Sequence, residues 1–123
     1  MPDTEITAEM LISEELEKGL RALPIPPHMH AGIRRYVVDR RPGGNFLTAL
    51  LENNLKEAVV RADPQNLAAI ADWARLLYNF VPSACQGSPA KVHAWLEGGP
   101  TARLHRALGH IPLEDDDEIP TAD

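Results

Sequence analysis

The sequence predicts an all-α fold: a compact bundle of five to six short helices followed by a disordered acidic tail. Two observations carry that expectation. Apolar residues recur three and four positions apart along nearly the whole chain, and no segment alternates apolar with polar residues as a half-buried strand does. Pro and Gly cluster mainly between the periodic segments, where they punctuate helices.

In the first segment Ile12, Leu16, Leu20 and Leu23 follow one helical course. An amphipathic helix is therefore expected from Thr7 to Ala22, with Glu14, Glu15 and Lys18 outside. Pro24, Pro26 and Pro27 stop it, because proline restricts the residue before it and lacks an N–H. Pro27 also suits a first helical turn, so a second helix is expected from there to Arg41, burying Met29, Ile33 and Tyr36 or Val37. The clearest stripe follows: Leu47, Leu51, Leu55, Ala58 and Ala62, widened by Phe46, Leu50 and Val59. It predicts one helix from Phe46 to Ala62 behind Asn45 as N-cap. Asp63-Pro64 reads as an N-cap and a proline at the first helical position. It opens a fourth helix with Leu67, Ile70, Trp73 or Ala74, and Leu77 inward, closed by Val81-Pro82. Ser88-Pro89 repeats that chemistry for a helix carrying Val92, Trp95 and Leu96, which Gly98-Gly99-Pro100 terminates. Thr101 is expected to cap a last short helix with Leu104 and Leu108.

The 123 residues suit one domain. Its parts are an N-terminal amphipathic helix over 1–23, a helical domain over 24–112, and an acidic tail over 113–123 without periodicity. The compact part, 24–97, has about 74 residues, a size at which a lone core seldom gives more than ~3–5 kcal/mol. Support from the first helix or from another subunit is expected. A single cysteine excludes an internal disulfide framework, and no apolar run approaches the length of a bilayer span. A soluble, cytoplasmic protein without membrane association is therefore expected.

The net charge of −6 is concentrated in the tail, where Glu114, Asp115, Asp116, Asp117, Glu118 and Asp123 lie. Residues 24–112 are mildly basic and 1–23 acidic. The chain lacks the dense Lys/Arg face that neutralises phosphates, which argues against duplex nucleic acid as a partner.

Chemistry-bearing residues are sparse. His28 and His30 are two apart, so on a helix they point away from each other, and neither H-E-x-x-H nor C-x-x-C is present; no metal or cofactor is called for. Cys85 precedes a helix start, which can lower a thiol pKa, but a small buried thiol fits the same position; no catalytic residue is assigned. The stronger candidate is Arg40-Arg41-Pro42-Gly43-Gly44-Asn45, with Arg34 and Arg35 a turn or two earlier. Guanidinium groups contact phosphate or carboxylate bidentately, and glycines permit close approach. The same residues also read as a helix end with favourable charge and a glycine turn. Asn53, Asn54, Asp63, Asn66, Asp72, Tyr78 and Asn79 fit caps and interhelical hydrogen bonds, Asp63 and Asn66 especially, with a polar ligand pocket as the alternative. Trp73, Tyr78 and Trp95 at helical spacing read first as core anchors.

Four stretches give residues 24–97 a wider pattern: I-P-P-H-M-H-A-G-I-R-R-Y at 25–36, G-N-F-L-T-A-L-L-E-N-N-L-K-E-A-V-V-R-A-D at 44–63, L-L-Y-N-F-V-P-S-A-C-Q-G-S at 76–88, and V-H-A-W at 92–95. In this order they resemble a family of short proteins of bacteriophages, prophages and plasmids, in which Gly is common at the Ala31 position and Trp at the Gln86 position. The resemblance implies a mobile-element accessory protein. The function expected is a non-catalytic module binding a host protein, modulating host defence or regulation, through an amphipathic helix face or the Arg34, Arg35, Arg40 and Arg41 surface. The alternatives are a binder of an anionic small molecule such as a nucleotide, at Arg40–Asn45 with Asn53 or Tyr78, and a structural or regulatory homo-oligomer.

Overall fold

The computed structural model describes residues 8–99. They form seven α-helices: α1 (Ala8–Ala22), α2 (His30–Val37), α3 (Asn45–Leu51), α4 (Leu55–Arg61), α5 (Pro64–Ala68), α6 (Ile70–Phe80) and α7 (Pro89–Glu97). Single 3₁₀ turns occupy Pro27–Met29 and Ser83–Cys85, and no strand occurs among the described residues. The fold is all-α. The last expected helix at Thr101 and the acidic tail lie outside the described residues, as does the expected start at Thr7.

The N-terminal helix is part of the core. Leu16 and Leu20 are buried, and α1 packs against α6 and α2. Gly19 sets that approach: a Cβ there would stand 2.5 Å from Leu76 Cδ1 and 2.7 Å from Phe80 Cγ. Trp73, Tyr36, Ile33, Leu47, Leu51 and Leu76 fill the centre, and the Phe46 and Trp73 rings meet edge to face at 5.7 Å.

Where five helices are expected over these residues, the chain makes seven, for local reasons. The Phe46–Ala62 helix is broken after Leu51. Asn53 takes a left-handed φ of 66°, the Asn53 N–H closes on Leu50 O, and the Asn54 N–H closes on Ala49 O. This pattern ends a helix by returning two amides to its last carbonyls. Asn54 Oδ1 then accepts from Glu57 N and caps α4. The break turns the second half of the stripe, so Leu55 and Val59 are exposed instead of buried. The fourth helix is likewise interrupted at Ala69, whose N–H is shared between Gln65 O and Asn66 O. As a result Asn66 is buried while Leu67 is exposed.

Two boundaries also differ from expectation. The second helix opens as a 3₁₀ turn at Pro27 and ends at Val37 instead of Arg41; Arg40 adopts a φ of 57° as its N–H closes on Tyr36 O. Gly44, extended, caps α3, and Asn45 is its first residue and not its cap. The Asp63 and Ser88 caps form as expected: Asp63 Oδ1 accepts from Asn66 N at 2.7 Å and Ser88 Oγ from Lys91 N at 3.2 Å.

Hydrogen bonds fix the 82–88 loop against the helices and α7 against α2. Tyr36 Oη donates to Cys85 O at 2.7 Å, and Trp95 Nε1 on α7 donates to Tyr36 O at 2.9 Å. Gln86 Nε2 donates to Leu77 O and Val81 O, and Gly87 N to Leu51 O.

Candidate functional site

The nine residues singled out for ligand binding do not form one site. Arg34 is committed to α1, its Nε donating to Glu17 Oε2 at 2.7 Å and its Nη2 to Glu17 Oε1 at 2.9 Å. This bidentate bond draws the Glu17 carboxyl below its ordinary range and raises the Arg34 guanidinium. Arg40 lies over the Trp95 ring, its Cζ 3.8 Å from the centroid. It also packs on the two glycines after α7, where a Cβ on Gly99 would collide with Arg40 O. Both guanidinium groups are structural clasps. Arg41 is exposed, and Asn45 sits in the first turn of α3.

The remaining five divide between two concavities. Arg35, Gly43 and Gly44 line a cleft of about 460 Å³ between α2, the 42–47 segment and the α4–α5 junction. Asn53 and Tyr78 come together in a groove of about 260 Å³ between the α3–α4 break, α6 and the 86–87 turn. The Arg40–Asn45 stretch is thus separate from Asn53 and Tyr78.

Sequence reasoning missed the depth of the cleft. Asn66, only 2% exposed, is the one polar residue buried among the described residues, and it lines this wall. Trp73 Nε1, which can only donate, points at Asn66 Oδ1 from 3.0 Å. That bond fixes the orientation of the amide and leaves Nδ2 without a protein partner among the described residues. An unmet buried donor typically costs about 1–3 kcal/mol. The signal in the sequence was an Asn inside an otherwise apolar helical course. Beside it, the Asp63 carboxylate accepts from the Asn66 N–H and meets His28 Nε2 at 2.9 Å; the Asn66 bond chiefly, and His28, hold its carboxyl below the usual range. Arg61 contributes from the end of α4, its Nε donating to Glu57 Oε1 at 3.1 Å.

The groove is apolar in character. Leu50, Leu55, Ile70 and Leu77 form its floor and walls, with Asn53 and Gln86 at the rim. Tyr78 is 88% exposed and Leu55 65% exposed. Tyr78 is therefore no core anchor; the buried tyrosine is Tyr36, whose hydroxyl is pushed above its ordinary range by burial. Trp73 and Trp95 are buried as expected.

Cys85 is fully buried, its Sγ donating to Pro82 O at 3.3 Å, and burial pushes the thiol up to about 12. It is a thiol and not a thiolate at neutral pH. His30 Nε2 is engaged with Ile25 O and His93 with Glu97, and no three His, Cys, Asp or Glu residues converge as a ligand set among the described residues. No described helix is long and apolar enough to cross a membrane. Compared with protein-family models, curated proteins and solved structures, the chain matches none.

Proposed function

We propose that this protein is a non-catalytic recognition module that docks apolar side chains of a host protein into the groove beside Tyr78. One observation carries the reading: Tyr78 and Leu55 stand exposed while lining an apolar concavity that, through Leu77 and Leu50, is continuous with the core. Removing large exposed apolar side chains from water is a principal source of binding energy, and tyrosine is enriched where few residues dominate an interface. Asn53 and Gln86 at the rim suit a helix or turn presented by the partner, whose polar flanks would meet them. The setting in a phage or mobile element rests on the resemblance of residues 24–97.

The test compares the wild-type chain with a Leu55→Asp/Tyr78→Asp double variant. Both positions are exposed, so folding should survive. A host protein retained by immobilised wild type and lost with the variant is the expected result. Identical captures by both would overturn the reading, and a concentration-dependent mass abolished by the variant would replace the host protein with a second copy of this chain.

A further inference from the structure

We infer that the cleft between α2 and the α4–α5 junction binds a singly charged oxyanion, a carboxylate or a phosphodiester, carried on a small organic body. The inference is independent of the groove beside Tyr78.

The depth of the cleft supplies the first argument. Asn66 is held by its neighbours in the only orientation that satisfies Trp73, whose indole N–H must find an acceptor. The amide therefore offers two N–H donors on its other side, in a residue 98% removed from solvent that lines the cavity. Buried donors are ordinarily matched by an acceptor. None is supplied by the described residues, and a ligand oxygen in the cleft would supply one.

Charge supplies the second argument. Arg35 lines the cleft and makes no side-chain bond to a described residue, while Arg61 uses its Nε for Glu57 and keeps its terminal nitrogens. The single acid lining the cleft, Asp63, has both oxygens occupied, one by the Asn66 N–H and one by His28. It therefore offers little to a ligand cation. Arg61 is offset by its ion pair with Glu57, and the Asp63 oxygens are already engaged, so Arg35 is the one guanidinium lining the cleft that has no ion pair to a described residue. That suits a carboxylate or a phosphodiester better than a doubly charged phosphate monoester.

Size and lining supply the third. About 460 Å³ lies within the range of small-molecule sites. Met29, Phe46 and Leu47 give the wall an apolar side against which an organic body can rest. An inorganic ion alone would leave that surface wet.

The experiment is a ¹⁵N–¹H titration of the full chain with benzoate and with dimethyl phosphate, with benzamide as the uncharged control, following the Asn66 side-chain amide and Arg35 Nε. Saturable shifts of both signals with an anion are expected. Arg35→Gln should weaken binding roughly tenfold, since it removes a charge-assisted bond. Arg41→Gln, also exposed but not among the residues lining the cleft, should leave it unchanged. Asn66→Asp keeps the acceptor for Trp73 and replaces the donors with a repelling oxygen, so it should abolish binding; if that variant misfolds, the Arg35 and Arg41 pair decides alone. Tighter benzoate identifies a carboxylate ligand and tighter dimethyl phosphate a phosphodiester. The inference is overturned by no saturable shift up to about 20 mM of either anion, by benzamide binding as well as benzoate, or by equal losses in Arg35→Gln and Arg41→Gln.

Discussion

The cleft beside Asn66 and the groove beside Tyr78 lie at opposite ends of the α3–α4 pair and are built in opposite ways. The cleft draws polar groups inward: an amide goes into the core while guanidinium groups stand at the mouth. The groove leaves apolar groups outside, because the break at Asn53 rotates Leu55 away from the stripe to which its spacing assigned it. Each departs from the rule that apolar groups are inside and polar ones out, and the informative observations are those departures. The difference teaches that one short chain can carry a polar and an apolar concavity built from separate residues.

The largest expected effect separates the two surfaces by stability. Trp73→Ala removes the centre of the core and the donor that orients Asn66. It should cost about 3–5 kcal/mol in urea unfolding. Tyr78→Ala on the groove should fall within about 0.5 kcal/mol of wild type, as exposed substitutions do. A comparable loss at Tyr78 would mean that the groove face is covered in solution, and the contrast between the surfaces would fail.

The next effect concerns the cause of the groove. Asn53 holds a left-handed conformation that costs most L-residues roughly 1–2 kcal/mol. Asn53→Ala should therefore destabilise by about that amount, whereas Asn53→Gly should be nearly neutral, as glycine adopts this conformation freely. If alanine were tolerated as well as glycine, the turn would not be what places Leu55 outside.

Much of the helical plan was legible in the sequence. The Asp63 and Ser88 caps and the stop at Val81-Pro82 appear where local chemistry puts them, since a cap or a proline acts on its own few residues. The breaks at Asn53 and Ala69 were not legible, because Asn-Asn and Ala sit within an unbroken apolar periodicity and only the packing of the two halves decides between one helix and two. The site was less legible still. Arg34, Arg35, Arg40 and Arg41 look alike in sequence, yet three-dimensional neighbours separate them: Glu17 takes the first and Trp95 the third, the second faces the cleft, and the fourth is exposed. Arg61 joins Arg35 from 26 positions away, a juxtaposition that no local pattern encodes.

The smallest expected effect tests whether Arg34 is a clasp or a binding residue. Glu17 has a folded-state pKa below its ordinary value because Arg34 donates to both its oxygens. A depressed carboxylate pKa contributes stability that is fully present above the unfolded value, about 4.3 for Glu, and is lost as pH falls through the folded one. Both side chains are partly exposed, so solvent screening limits the contribution to about 1 kcal/mol or less. Arg34→Gln should therefore unfold slightly more easily than wild type at pH 7, and the gap should close below pH 4 as Glu17 protonates. High salt should narrow it as well. A pH-independent gap would assign the loss to the packing of the Arg34 stem on α1 instead of to the ion pair. No gap at any pH would leave Arg34 as a surface charge, and the contrast with Arg35 would then rest on position alone.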